Sequence, residues 1–350
     1  MIVVRPAAQG DIDGLMALAG KAGTGLTTLP PHAPTLEGKI TDSIKAFGHP
    51  TGLGERLKYF LVMEDTETGA IIGTSAVVAG IGLDKPFYCY RLLHITQASN
   101  DPEMRIDTEL LQLSNDFVGC TEVATLFLDP DHRRPGLGKL LAKARYLLIA
   151  AHLDRFADRV FAEIRGWVDE HENSPFWEAI GRQFFGMSFT EADRINGQGN
   201  SQFIADLMPK FPIYTVLLPE AAKSVIGRPH DGARPALKLL EQEGFHFSGA
   251  VDIFDAGPEV EVHKRGIWTV RASERGTLAG SVDGQPGEGA YLAANASLEG
   301  FRATLTNVVD TASGLWMPDA AAKALDLAKG DEFIFAPLNR GERTANRERS

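Results

Sequence analysis

Cysteine is nearly missing from this sequence: Cys89 and Cys120 are the two present among 350 residues. Neither belongs to a CxxC pair, and no zinc-ligand spacing occurs, so a structural zinc site or a dithiol redox centre has no basis here. Two lone thiols read as buried side chains in a reducing compartment rather than as a disulfide. An excess of positive charge is missing as well. Lys and Arg total 35 against 46 Asp and Glu, a net charge of −11. That balance excludes general nucleic-acid binding, which works by displacing counterions with a basic face. No apolar run reaches the roughly 18 residues of a membrane span. The first residues, MIVVRPAAQGDIDGL, lack the basic start, apolar core and cleavage site of a secretory signal. The absences together predict a soluble, cytoplasmic protein with neither a nucleic-acid nor a membrane partner.

What is present is an ordinary globular composition, 44% hydrophobic and 23% charged, in a chain long enough for two or three domains. Ile2–Pro6 reads as a strand, and Asp11 as the cap of a helix carrying Ile12, Leu15, Met16, Leu18 and Ala19. A second helix is expected over Thr35–Phe47. Tyr59–Val78 reads as strand, turn, strand, and Tyr88–Ile95 as a third strand of that meander. Residues 97–118 give no clear pattern. Glu122–Leu128 is a strand, Lys139–His152 an amphipathic helix with Leu140, Leu141, Ala144, Leu147, Leu148 and Ala151 near a 3.6-residue period, and Arg159–Arg165 a further strand. Ser174 and Pro175 open a helix containing Phe176, Trp177, Ile180 and Phe184. The order β-α-α-β-β-β-β-α-β-α is that of a mixed α/β (α+β) layer structure.

Residues 190–228 read as a helical insertion, Arg234–Phe245 as a helix closed by glycine, and Ser248–Phe254 as a strand. From about 260 the character changes. Short β-rich runs at Trp268–Arg271, Ala290–Ala293 and Phe301–Leu305 alternate with glycine turns, followed by a helix at Pro318–Leu327 and a strand at Glu332–Pro337. The expected division is therefore 1–258, a small β-rich domain at 259–338, and a charged, disordered tail at 339–350.

The most informative stretch is LFLDPDHRRPGLGKLL, Leu126 to Leu141. A strand stops at Asp-Pro, a basic glycine-bearing turn follows, and a helix begins. The first N–H groups of a helix have no intrahelical acceptor and carry partial positive charge, so this arrangement suits an anion. Gly136 and Gly138 allow close backbone approach at Leu137, while Arg133 and Arg134 add planar donors matched to phosphate. A pyrophosphate fits better than a lone carboxylate. Neither the nucleotide P-loop nor the dinucleotide glycine fingerprint is present. Arg133-x-x-Gly136-x-Gly138 instead resembles the coenzyme A loop of the GNAT acyltransferase superfamily.

The wider chain resembles the arginine N-succinyltransferase family. The likeness rests on Gly25-Leu-Thr-Thr-Leu-Pro30, Thr125-Leu-Phe-Leu-Asp-Pro130, Asp169-Glu-His171 with Ser174-Pro-Phe-Trp177, and Phe203-Ile-Ala-Asp-Leu-Met-Pro-Lys210. Val225-Ile-Gly227 with His230, and Leu240-Glu-x-Glu-Gly-Phe245, complete it. The resemblance implies a GNAT-like mixed central sheet flanked by helices, and succinyl transfer from succinyl-CoA, a co-substrate rather than a tightly bound cofactor, to the α-amino group of L-arginine. Some relatives pair two kinds of subunit and also use L-ornithine, so a homo-oligomer or a paired subunit is implied. The resemblance places Leu126 at succinyl-CoA and gives His230 the role of proton donor. One departure is His132, where the family often has Trp.

Chemistry adds candidates for the acceptor. Glu163, Asp169 and Glu170 could pair bidentately with a guanidinium, and Arg165 could hold a carboxylate. His171 rivals His230 as a titrating group near the sheet. Gly25, Leu26 and Thr27 fall in a loop that this superfamily often places over the acceptor. Two other readings stay open: a GNAT acetyltransferase for a different amine, and a subunit inactive without its partner.

Overall fold

The computed structural model describes residues 1–22, 26–197, 206–283 and 291–341. Gly25, the start of the Phe203–Lys210 segment, and 342–350 of the tail lie outside them. The chain divides into two compact units. Unit 1 is Met1–Ala79, Thr121–Arg159 and His263–Ser350; unit 2 is Gly80–Cys120 and Val160–Val262.

Unit 1 starts with β1 (Ile2–Pro6), α1 (Ile12–Ala22) and α2 (Ala33–Gly48), then the hairpin of β2 (Leu57–Asp65) and β3 (Ala70–Ala79). Asp11 does not cap α1. Its carboxylate accepts the Ala8 N–H at 2.7 Å and pairs with the Arg5 guanidinium, closing the turn that precedes the helix. Leu15, Leu18, Ala19, Leu36 and Ile40 bury the apolar stripes of the two helices against Phe60 and Val62. The β3 strand pairs antiparallel with β6 (Thr121–Leu128), and α3 (Leu137–Ala151) follows.

The helix α3 departs from the amphipathic expectation: Leu140 through Ala151 are all buried, Lys143 and Arg145 included. The C-terminal region covers the face that carries its polar residues. Lys143 Nζ donates to the Leu338 carbonyl at 2.9 Å and lies 4.4 Å from the ring centre of Trp268, so its charge is satisfied under cover. Trp268–Arg271, expected as strand, forms a short helix, Trp268–Ala272. The strands beyond it are β11 (Glu274–Val282), β12 (Tyr291–Asn295), β13 (Ala303–Thr306), β14 (Val309–Thr311), β15 (Gly314–Pro318) and β16 (Glu332–Pro337). Strand order in this unit is β14-β15-β11-β16-β12-β13-β1-β2-β3-β6. β1 reaches the C-terminal strands through Val4 opposite Ala303. A separate core of Leu278, Tyr291, Ala293, Met317, Leu325, Phe333 and Phe335 fills the β-rich part.

Unit 2 holds β4 (Cys89–Asn100), β5 (Glu103–Ser114), the last four residues of β7 (Arg159–Glu163), the two-residue β8 (Ile213–Tyr214), β9 (His246–Val251) and the first five residues of β10 (Pro258–His263). Their order is β7-β10-β9-β4-β5-β8. The strand expected at Tyr88–Ile95 is thus not part of the first meander: β4 pairs with β5 along its whole length and with β9 at Tyr90 and Arg91. The unassigned stretch 97–118 is mostly the second arm of that hairpin. Ser174 caps as expected, its Oγ accepting the Trp177 N–H at 3.1 Å. The helix it opens breaks at Ile180 into α4 (Pro175–Ala179) and α5 (Gly181–Phe185). Phe176, Trp177, Ile180, Val225, Ile253 and Phe254 form the core here. The helix Arg234–Glu243 ends at Gly244, whose φ of +100° is the left-handed cap glycine supplies without strain. Cys89 and Cys120 are buried and form no disulfide.

Candidate active site

Strand β6 is irregular where the sequence matters most. Thr74 pairs with Phe127 and Ala76 with Ala124, leaving Ser75 opposite both Thr125 and Leu126. This is a β-bulge, which takes one residue out of the ladder and bends the strand. Thr125 bears the distortion, with a φ of +53° that a β-branched residue rarely adopts. Its side chain is buried, and its Oγ1 has no hydrogen-bond partner among the described residues. Leu126, half-buried, is the second bulge residue.

Past the bulge, Asp129 ties the turn down. Its backbone N–H donates to the Ile72 carbonyl at 2.9 Å. Its carboxylate accepts the Asp131 N–H at 3.0 Å and the Lys21 ammonium at 2.7 Å, and His132 Nδ1 lies 3.2 Å away. Burial alone would raise the pKa of Asp129; Lys21, the Asp131 N–H and His132 outweigh it and leave it below the ordinary aspartate value. Arg133, Arg134 and Pro135 are exposed on the turn. Gly136 caps α3 at φ +87°, and its carbonyl accepts the Leu140 N–H at 2.8 Å. The N–H groups of Gly138 and Lys139 then have no carbonyl of their own helix to meet. Leu137, Gly138 and the two arginines therefore stand together at one helix N-terminus, as the motif predicts. Lys139 Nζ also bonds Asn339 Oδ1, and Leu305 and Leu338 stand beside Gly136.

The second group of candidates lies in unit 2. His230 precedes a 3₁₀ turn, Asp231–Ala233, and is half-buried. Its N–H donates to the Arg165 carbonyl at 2.8 Å, and its Nδ1 accepts the Gly232 N–H at 3.1 Å. An Nδ1 acting as acceptor assigns the neutral ring its proton on Nε2. Gly166 bridges to Pro229, and the Trp167 N–H bonds the Arg228 carbonyl, so the strand exit and the His230 loop are laced together. The Gly166 N–H also bonds Asp255 Oδ2 at 2.7 Å, and a Cβ on Gly166 would come within 2.4 Å of the Asp255 carbonyl oxygen. Only glycine fits that approach. Asp255 is buried, and desolvation, then the neighbouring Asp252, push its pKa well above the ordinary aspartate value.

The other predicted residues divide. Arg165 and Glu172 form an ion pair. Asp169 is committed to its own turn, accepting the N–H groups of His171 and Asn173, both at 2.8 Å. Those bonds and the Asn173 side chain hold its pKa below the ordinary value. Glu170 and His171 are exposed, and Glu163 is the exposed last residue of β7. Sequence reasoning missed Thr125, Asp129 and Asp255. Asp129 had a signal in the Asp-Pro that ends the strand; a bulge at Thr125 had none.

Comparison with known proteins settles the family. The model of the arginine N-succinyltransferase beta subunit matches residues 2–269, and that of its C-terminal domain residues 274–337. This chain belongs to the arginine N-succinyltransferase family. Arginine N-succinyltransferases of Escherichia coli, from strain K12 / DH10B and from O157:H7 strain EC4115, are 41% identical over 348 residues, 99% of this chain and 100% of theirs. The solved structure of arginine/ornithine succinyltransferase subunit AI from Pseudomonas aeruginosa is 31% identical. It superposes with a TM-score of 0.86 over 97% of this chain and 99% of its own. The mixed α/β fold and the β-rich C-terminal part are shared features of this acyltransferase family. Among the described residues no helix is long and apolar enough to cross a membrane.

Proposed function

We propose that this chain transfers the succinyl group of succinyl-CoA to the α-amino group of L-arginine. The observation that carries the reading is the run from the Thr125–Leu126 bulge through the Asp129 anchor to the glycine-capped N-terminus of α3. It belongs to a chain that matches curated arginine N-succinyltransferases along their full length.

The pyrophosphate of succinyl-CoA is assigned to the N–H groups of Gly138 and Lys139 beside Leu137, with Arg133 and Arg134 as outer donors. The pantetheine arm runs along bulged β6, and the Leu126 N–H polarises the thioester carbonyl. One such donor to a developing oxyanion contributes roughly 3–4 kcal/mol. The neutral amine attacks the carbonyl carbon, the C–S bond breaks, and the proton lost by the amine ends on the coenzyme A sulfur. His230 is assigned to that last step. Its Nε2–H is a hydrogen-bond donor in the state described above. Net proton delivery requires the imidazolium, whose Nδ1–H would oppose the Gly232 N–H, so the Asp231–Ala233 turn must yield when the ring charges. Glu163 and Glu170 are assigned to the acceptor guanidinium, with Asp169 holding the turn that carries Glu170, and Arg165 to a substrate carboxylate.

Thiol release from succinyl-CoA by the purified chain tests the reading, with L-arginine, L-ornithine and acetyl-CoA in parallel. Release that requires both succinyl-CoA and arginine is the expected result. Equal rates with acetyl-CoA would replace it with a broader acyl transfer. Silence in every arm would make the chain dependent on a second subunit.

A further inference from the structure

Helix α2 brings positive charge onto the sheet of unit 1. Ser43 ties the helix to β2: its Oγ accepts the Phe60 N–H at 2.9 Å and donates to the Phe60 carbonyl at 3.2 Å. Lys39 lies one helical turn before Ser43, and Lys58 two residues before Phe60. Lys58 stands opposite Val78, and Val78 opposite Glu122, so Lys58 and Glu122 share one face of the sheet. The next row on that face, Phe60–Ala76–Ala124, ends at the residue before the Thr125–Leu126 bulge. Phe60 and Ala76 pack with Leu36 and Ile40 of α2, so this is the face that the helix covers.

The charges here do not balance. Lys39, Lys58 and Arg56 lie near enough to repel one another. Among the described residues Lys39 forms no ion pair, and its Nζ meets the Thr28 carbonyl at 2.6 Å. Two of its ammonium N–H groups therefore remain to be used. Lys58 forms no ion pair among the described residues either; it lies 5.5 Å from the ring centre of Phe60 and feels Glu122 and Asp42 at longer range. Glu122 is itself shared with Arg56 and Arg145. Burial first, then repulsion, lowers both lysines, Lys39 to about 7 and Lys58 to about 8. The Thr28 hydroxyl is a second unmet donor: its Oγ1 is buried with no hydrogen-bond partner among the described residues. Such atoms are rare and costly unless a ligand meets them.

We propose that Lys39 and the Thr28 hydroxyl hold the terminal carboxylate of the succinyl group, with Lys58 and Arg56 adding positive field. The inference rests on the succinyl-CoA reading above and adds what tells that donor from other acyl-CoA thioesters. An ammonium with N–H groups to spare and a neighbouring hydroxyl suit a carboxylate acceptor. Both substrates bring a carboxylate, but they differ in charge. L-Arginine also carries an α-amino group and a guanidinium, which a patch rich in cations repels. The succinyl tail carries its carboxylate alone. An acetyl group ends in a methyl and would leave the ammonium and the hydroxyl unpaired, a mismatch that discriminates strongly.

Equilibrium titration of the full chain with succinyl-CoA and with acetyl-CoA, arginine absent, tests this without turnover. The wild type should bind succinyl-CoA roughly 10- to 100-fold more tightly, the worth of a charge-assisted hydrogen bond. Lys39→Met should weaken succinyl-CoA alone and bring the two thioesters to within about threefold of each other. Lys39→Arg should keep most of the preference. Lys45→Met, exposed on the same helix, removes the same charge and should leave the preference unchanged. Methionine keeps the stem of Lys39 and removes a charge that burial disfavours, so the fold is not at risk. A wild type without preference, a Lys39→Met chain that keeps it, or one that loses both thioesters equally would each overturn the inference and leave acyl transfer standing. An arginine KM that rises in Lys39→Met with the preference intact would overturn it too, by giving Lys39 to the acceptor's carboxylate. A wild type that binds neither thioester would strike the succinyl-CoA reading itself, and this inference with it.

Discussion

The Cβ that Gly136 lacks would lie 3.0 Å from Leu305 Cδ1, at a backbone φ of +87°. The C-terminal region thus presses on the turn assigned to the pyrophosphate. Gly136→Ala meets two obstacles, the left-handed backbone at roughly 1–2 kcal/mol and the contact with Leu305. Initial-rate kinetics should show the succinyl-CoA KM raised about tenfold with the arginine KM unchanged. Adding Leu305→Ala should recover the steric part and leave the backbone part.

Thr125 pairs strain with an unpartnered hydroxyl. Buried polar atoms without partners are rare and costly, and one kept beside Leu126 fits a group that meets its partner when substrate arrives. Thr125→Val keeps the shape and removes the hydroxyl. Unfolding free energy should rise by about 1 kcal/mol, while kcat/KM for succinyl-CoA falls. A stability gain with unchanged kinetics would leave Thr125 a purely structural residue.

His230→Gln should lower kcat by about 10²–10⁴-fold, the usual contribution of a positioned acid, with both KM values little changed. A variant whose KM for arginine rises while kcat holds would make His230 a binding residue.

Glu163→Gln is expected to raise the arginine KM several-fold and spare that of succinyl-CoA. For Arg165→Ala, one of the two KM values should rise, and which one names the carboxylate it holds. No change in either would return Arg165 to a structural pair with Glu172.

Lys39 makes stability depend on pH. Burial, then Lys58 and Arg56, push its pKa down to about 7. The unfolded chain titrates this group near ~10.4. Between the two values the unfolded chain binds more protons than the folded one, so stability rises with pH across that window. Urea midpoints at about pH 7 and about pH 9.5 should differ less in Lys39→Met than in the wild type.

Local patterns in the chain carried much of this structure. Ile2–Pro6 and Glu332–Pro337 are strands with the expected bounds, and the Arg133–Gly138 motif does stand at a helix N-terminus. These features are short-range, so a single sequence displays them. The failures were long-range. Helix α3 looked amphipathic because the cover over Lys143 comes from Trp268 and Leu338, over a hundred positions away in the chain. The outer part of β4–β5 beyond Ile95 gave no strand signal because the alternation fails there: Gln97 and Ser99 fall on the row of Leu93 and Ile95, and Ala98 on that of His94 and Thr96. The bulge at Thr125 depends on register with Ser75, which no local pattern encodes.

The pairing of Val4 with Ala303 has a consequence for how the protein is made. Strand β1 is synthesised about 300 residues ahead of its outer neighbour, β13. At ~5–20 residues per second that is a wait of roughly 15–60 s. Until then β1 has one open edge, and α3 lacks Trp268 and Leu338 over Lys143. The anion-binding turn at Gly136 therefore acquires its last wall, Leu305 and Leu338, long after the turn itself has been made. Nascent chains that stall before this point should carry β1 as an exposed strand edge, a natural substrate for chaperones.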